Sequence, residues 1–248
     1  MGNKLVTFAG AAAVLIGAIA STSAARPRPP SRPPASCPAS YHPVLDPGHF
    51  VGRVDNPLFP LPVGRVLVYR GIKDGRTQID TVTVTDRTKV IEGIAATAVT
   101  DVARHGSTLL ERTTDWYAQD DRGNVWYLGE ATRAYTPDGT IDTSGSWKAG
   151  MNGAKPGLIM EATPEPPDAY RQECLSGEAM DTAWVVSRGG SVRVPFGRLH
   201  RVLRTLEFTQ LEPGTVDEKL YAPGLGIVLE RTMAGGNEYA KLIRATDP

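Results

Sequence analysis

Polar and apolar residues alternate with a period of two over most of this chain, and the 3.6-residue rhythm of an amphipathic helix is nearly absent. Over residues 78–86, Ile79, Thr81, Thr83 and Thr85 share one face while Val82 and Val84 share the other, which predicts a half-buried strand. A short turn at Arg87 and Thr88 leads to a second strand over 90–102, kinked at Gly93. Strands over 109–119 and 125–129 flank Asp120-Asp121-Arg122-Gly123-Asn124, a polar turn with glycine where positive φ is needed, and so predict a hairpin. Further strands are expected at 66–71, 132–136, 170–174, 182–187, 191–194, 201–210, 216–221, 226–231 and 238–243. Short strands separated by Gly and Pro turns predict an all-β fold: an antiparallel curved sheet forming an open half-barrel or a sandwich.

Residues 137–157 break this rhythm. They hold Gly139, Gly145, Gly150, Gly153 and Gly157 together with Trp147, Lys148 and Lys155. A connection of this length without a strand pattern is usually a lid or a binding loop, so it is the candidate lid of the fold. Residues 162–168, with Pro164, Pro166 and Pro167, form a second irregular stretch.

The N-terminus changes the picture of where the protein works. Lys4 precedes an apolar run from Leu5 to Ala20, and Ser21-Thr22-Ser23-Ala24-Ala25 offers small residues for cleavage after Ala24 or Ala25. That is the layout of a secretory signal peptide, and the run is short of the ~20 residues that cross a bilayer core. Residues 1–25 are therefore expected to be a leader, and the mature protein to be secreted or extracytoplasmic, with no membrane span. Residues 26–43 are rich in proline, which fixes φ and removes amide donors, so they read as a stiff tether. Cys37 lies inside this tract behind Pro33-Pro34-Ala35-Ser36, which is not a lipobox. Residues 44–248 then form a single domain.

Charge adds an exclusion. The chain carries 27 basic and 27 acidic residues, a balance that argues against a nucleic-acid partner, which would demand a basic face. The two cysteines, Cys37 and Cys174, are too far apart for a metal or redox pair. In an oxidising compartment an intramolecular disulfide is plausible, with free thiols or an intermolecular bond through Cys37 as the alternatives.

No nucleophile elbow, zinc-protease, Walker, Rossmann or EF-hand pattern occurs, so no cofactor and no metal are expected, and an enzyme is disfavoured though left open. His42, His49, His105 and His200 read as surface residues. The 115–130 hairpin carries Trp116, Tyr117, Trp126 and Tyr127, with neighbours on opposite faces. These aromatics, with Trp147 and Tyr170, are the candidate ligand-binding residues; simple cross-strand stabilisation is the competing account. Asp115, Glu130 and Glu173 are the acidic candidates; together with Asp168, Glu178, Asp181 and Glu207 they read mostly as solvent-facing strand or turn residues, some paired with Arg171, Arg188 or Arg204.

Two motifs carry a resemblance. Asn56-Pro57-Leu58-Phe59-Pro60-Leu61-Pro62-Val63-Gly64 before Leu67-Val68-Tyr69, and Tyr221-Ala222-Pro223-Gly224-Leu225-Gly226-Ile227-Val228, resemble the opening and closing strands of exported bacterial all-β proteins similar to lipoprotein-carrier-like half-barrels. The resemblance implies a concave sheet able to hold an apolar ligand, and implies no activity. The expected function is a secreted, monomeric binding protein for a small apolar or amphipathic ligand or a cell-envelope component. The alternatives are a protein-interaction module without a pocket and a carboxylate-dependent hydrolase or isomerase.

Overall fold

The computed structural model describes residues 35–247, so the leader and the first part of the proline tract lie outside the described residues. After one helical turn at Pro47–His49 the chain forms strands β1 (Phe50–Val51), β2 (Val66–Lys73), β3 (Arg76–Ile91), β4 (Ile94–His105), β5 (Thr108–Asp120) and β6 (Val125–Tyr135). There follow β7 (Ile141–Asp142), β8 (Trp147–Lys148), β9 (Lys155–Met160), β10 (Ala169–Arg171), β11 (Glu173–Cys174) and β12 (Asp181–Val194). The chain ends with β13 (Gly197–Thr209), β14 (Val216–Ala222), β15 (Gly226–Ala234) and β16 (Tyr239–Thr246). All pairings are antiparallel, in the order β10-β12-β13-β14-β15-β16-β2-β3-β4-β5-β6-β9-β11.

The fold is all-β and curved, as the alternation predicts, and several boundaries differ. The strand expected to stop at 86 runs on to Ile91, and the reversal falls at Glu92 and Gly93, whose φ values of 48° and 82° supply the two positive-φ positions of a tight hairpin turn. The polar residues Asp86, Arg87 and Thr88 are instead exposed strand, with the register slipping between Val84 and Thr88. The strands expected at 182–187 and 191–194 are one strand, β12, bulged around Gly190. The long glycine-rich connection is not structureless: β7 and β8 both pair with β6, and β9 extends the sheet beyond it.

The two ends of the strand order meet. Residues Ala169–Arg171 pair with β12, Gln172 donates its amide to the Asp181 carbonyl at 2.9 Å, and Glu173–Cys174 pair with β9. One short segment therefore bonds to both edges, and the sheet becomes a nearly closed barrel, which protects edges that would otherwise be unpaired. At this seam Gly157 lies so near the Arg171 and Gln172 backbone that a Cβ would stand 2.4 Å from the Arg171 carbonyl oxygen. Cys37 and Cys174 are disulfide-bonded across a Cα separation of 5.8 Å. The stretch just after Cys37 follows the seam: Tyr41 donates its hydroxyl to the Pro156 carbonyl at 2.7 Å, and Lys155 Nζ donates to the Tyr41 carbonyl at 2.5 Å.

Candidate functional site

Strand alternation decides what fills the barrel. On β3 the buried positions include Gln78, Asp80 and Val84, with Val82 half-buried on the same face, so acidic and apolar residues point inward together. The pattern repeats around the wall. Buried acids come from β4 (Asp101), β5 (Glu111, Asp115), β6 (Glu130), β11 (Glu173), β12 (Asp181), β13 (Glu207), β14 (Asp217) and β15 (Glu230). Lys73 on β2 and Lys219 on β14 are buried among them. The expectation that most of these carboxylates face solvent is corrected. Glu130, Asp181 and Glu207 are buried, and Asp115 and Glu173 are 0% and 1% exposed. Two of the arginines expected to pair with them bond other acids, Arg204 with Glu218 at 2.5 Å and Arg188 with Glu165, and Arg171 lies over the Tyr41 ring.

The acids are unevenly distributed along the axis. Toward the first residues of β2 the interior is apolar, formed by Leu67, Val82, Val84, Val99 and Ile227. This end is covered by a strap, residues 54–65. Asn56 ties the strap down, its Nδ2 donating to the Gly123 and Glu161 carbonyls at 2.9 and 3.0 Å while Leu58 donates back to its Oδ1 at 2.9 Å. Gln119 Oε1 accepts from the amides of Asp55 and Asn56 at 2.9 and 2.8 Å. Gly224 donates to the Pro57 carbonyl at 2.7 Å, and Arg65 donates to the Gly224 carbonyl at 2.8 Å. The two motifs that carry the sequence resemblance, far apart in the chain, are thus bonded partners in space.

Under the strap lies a cavity of about 50 Å³, walled by Phe59, Pro60, Leu61, Leu67, Val82, Val84, Val99, Leu225 and Ile227 and floored by Asp101, Asp115 and Tyr117. Phe59 meets Tyr117 edge-on at 5.1 Å, Tyr117 stacks on Tyr127 at 4.9 Å, and Tyr127 meets Trp147 edge-on at 5.1 Å. Four aromatic rings so run from the strap to the barrel interior. The Tyr127 hydroxyl lies 2.6 Å from Asp115 Oδ1 and 3.0 Å from Glu130 Oε2, and Thr132 donates to Glu130 Oε1. Burial, then the Glu130 charge, pushes the Asp115 carboxyl well above the usual carboxylate range.

At the other end a cavity of about 40 Å³ lies between Lys73, Gln78, Asp80, Asp217, Glu230, Arg231, Glu238 and Tyr239. Beside it Lys219 Nζ pairs with Glu207 Oε2 at 2.7 Å, and the hydroxyls of Thr205 and Tyr221 donate to Glu207 Oε1 at 3.0 Å each. Burial pushes Asp80 and Glu230 up to about 8, with the Asp101 charge adding at Asp80 and the Lys219 charge opposing at Glu230. Burial also lowers Lys73. Among the described residues no group of three or more His, Cys, Asp or Glu side chains converges to hold a metal ion.

The sequence candidates therefore separate. Tyr117, Tyr127, Trp147 and Tyr170 point inward and are buried, and Asp115, Glu130 and Glu173 join the same interior. Tyr117 and Asp115 reach the apolar cavity. Trp116, on the opposite side of β5, lies under the Lys89 ammonium, 3.9 Å from its ring centroid. Trp126 is half-buried and donates its indole N–H to Asp120 Oδ2 at 3.0 Å. Lys73, Asp80, Glu111, Asp217, Lys219 and Glu230 are further interior residues, outside the sequence candidates. Strand parity points to one of them: Asp80 shares the face of Val82 and Val84.

No protein-family model matches the chain, and no curated protein matches it. Two solved structures are similar in fold. One is a protein of Bacteroides fragilis NCTC 9343, inferred to be exported and described as having a YmcC-like fold; it is 14% identical with a TM-score of 0.44, over 77% of this chain and 99% of that one. The other is an inferred lipoprotein of Parabacteroides distasonis ATCC 8503, 13% identical with a TM-score of 0.44, over 76% of this chain and 98% of that one. Among the described residues no helix is long and apolar enough to cross a membrane.

Proposed function

We propose that the protein is an extracytoplasmic binding protein for a small amphipathic ligand, taken up at the strap end of the barrel. Residues 1–25 supply the export signal, residues 26–43 the tether, and the barrel works as a monomer. The observation that carries this reading is the cavity of about 50 Å³, mostly apolar on its walls, with Arg65 also in its lining, and acidic at its floor. An apolar group fits between Leu67, Val84 and Ile227, and a hydrogen-bond donor on the same ligand meets the carboxyls of Asp101 and Asp115. Of the aromatic candidates, Tyr117 is the proposed contact, with Tyr127 and Trp147 stacked behind it to hold its ring in place. Pockets that combine apolar walls with few convergent polar groups are the usual small-molecule sites.

Native mass spectrometry of the mature chain from an exporting host tests this. A co-purified mass that leaves on denaturation supports the reading. Leu225 sits half-buried at the cavity rim. Leu225→Trp should fill the mouth and abolish the co-purified mass while leaving the melting temperature within a few degrees. An apo mass from the wild type, together with no displaceable uptake of an apolar fluorescent probe, would discard it.

A further inference from the structure

The opposite end of the barrel supports a different site. Its cavity of about 40 Å³ is lined by four carboxylates, those of Asp80, Asp217, Glu230 and Glu238, with Lys73 and Arg231 as the lining cations. Arg231 is already committed, its Nε 2.6 Å from Glu218 Oε2 on the outer face. Glu230 is 8% exposed, and its Oε2 has no hydrogen-bond partner among the described residues. A buried acceptor left without a donor is costly and points to a missing partner. Beside the cavity, though not in its lining, the Lys219–Glu207 contact of 2.7 Å is a buried carboxylate of the same interior paired with an ammonium group. Exposed Tyr239 and Arg231 form the rim, so the cavity reaches solvent.

We propose that this acid-lined end is a binding site for a small organic ammonium ion, with Glu230 as its principal acceptor and Asp80 and Asp217 beside it. The acids do not converge as metal ligands do, whereas an ammonium carries several N–H donors that reach separate carboxylates. The volume suits an ammonium on a short alkyl stem, since it amounts to the room of about three waters. Lys73, whose Nζ has no hydrogen-bond partner among the described residues, lines the same cavity, and in this proposal it competes with the ligand as a built-in cation. The groups facing Glu230 are Asp217 and Lys219 on β14, Glu207 on β13, Lys73 on β2, and Asp80 and Glu238. Because burial holds Glu230 and Asp80 largely protonated near neutral pH, binding expels protons and strengthens as pH rises.

Isothermal titration of the mature chain with ethylammonium tests the site, with tetramethylammonium at equal ionic strength as a cation that lacks N–H donors. Saturable binding of ethylammonium alone is expected near pH 9, weaker by about 10-fold near pH 6 and in Glu230→Gln, the loss of one charge-assisted bond. Lys73→Met should bind about 10-fold more tightly, because the competing ammonium is gone. Equal heats from the two ions, binding unchanged in Glu230→Gln, or no binding by either wild type or Lys73→Met would overturn the proposal. If Glu230→Gln fails to fold, Lys73→Met decides alone: tightening supports the site and its absence overturns it. Leu225→Trp, which plugs the strap end, should leave ethylammonium binding intact, so failure at either end is distinguishable from failure at the other.

Discussion

A single phenolic hydrogen cannot be donated to two carboxylates, yet Tyr127 Oη lies within bonding distance of both Asp115 and Glu130. The arrangement is satisfied when Asp115 is protonated and donates to Tyr127, which in turn donates to Glu130. Burial and the Glu130 charge push Asp115 in that direction. Asp115→Asn should therefore be nearly neutral at pH 7, because an amide supplies the donor that the protonated acid supplies. Tyr127→Phe, which removes the shared hydroxyl and leaves both acids short of a partner, should cost about 1–3 kcal/mol. Urea titrations of the two variants check this ordering, and the reverse order would mean that Asp115 is ionised in the native state.

The seam depends on the absence of a side chain. At Gly157 an added Cβ would meet the backbone of Arg171 and Gln172 at 2.4–2.5 Å, closer than any real contact. Gly157→Ala should therefore disrupt the β9–β11 pairing and cost at least about 1–3 kcal/mol, the scale of overpacking in a tight site. Hydrogen exchange should show lost protection confined at first to residues 155–174. Protection unchanged there would show that the seam has room to give. This seam is also where the sequence is least legible. The hairpins around Asp120–Asn124 and the strands from β12 to β16 could be read from alternation and turn chemistry, because each pairs with a sequence neighbour. Strand β9, Lys-Pro-Gly-Leu-Ile-Met in composition, looks like loop because its glycine serves a close backbone approach to a segment that follows it by some distance. The interior site was half legible for a related reason. The aromatic ladder of Tyr117, Tyr127 and Trp147 stands out in the sequence, and strand parity with Val82 and Val84 marks Asp80, whereas Glu230 looks like an ordinary surface acid until the barrel closes around it.

Burial of acids sets an unusual pH response for the molecule as a whole. Asp80, Glu111 and Glu230 are pushed up to about 8 and Asp181 to about 7, burial being the first cause in each. Unfolded carboxyls titrate near pH 4. Between about pH 4 and about 8 the folded chain therefore holds more protons than the unfolded chain, and stability must fall as pH rises through that window. Lys73, lowered by burial, acts in the opposite sense on the alkaline side. The melting temperature should be highest near pH 5 and several degrees lower near pH 8, as calorimetry across that range would show. A midpoint that climbs from pH 5 to 8 would mean that these acids are paired or solvated in the native barrel.

The disulfide settles how this barrel bears tension. A pull on the chain ahead of Cys37 does not travel through the strap, because it is diverted at once across the bridge into the seam at Cys174. The two cysteines are 137 positions apart, so the strands from β1 to β10 lie off the covalent load path while the bridge is intact. Only the part of the barrel beyond Cys174 would extend under force. Reduction would release the loop, adding on the order of 470 Å of contour length at about 3.4 Å per residue. A tug at the tether of an anchored form would thus reach the cavity under the strap only from its Leu225 and Ile227 side, the walls that lie beyond Cys174.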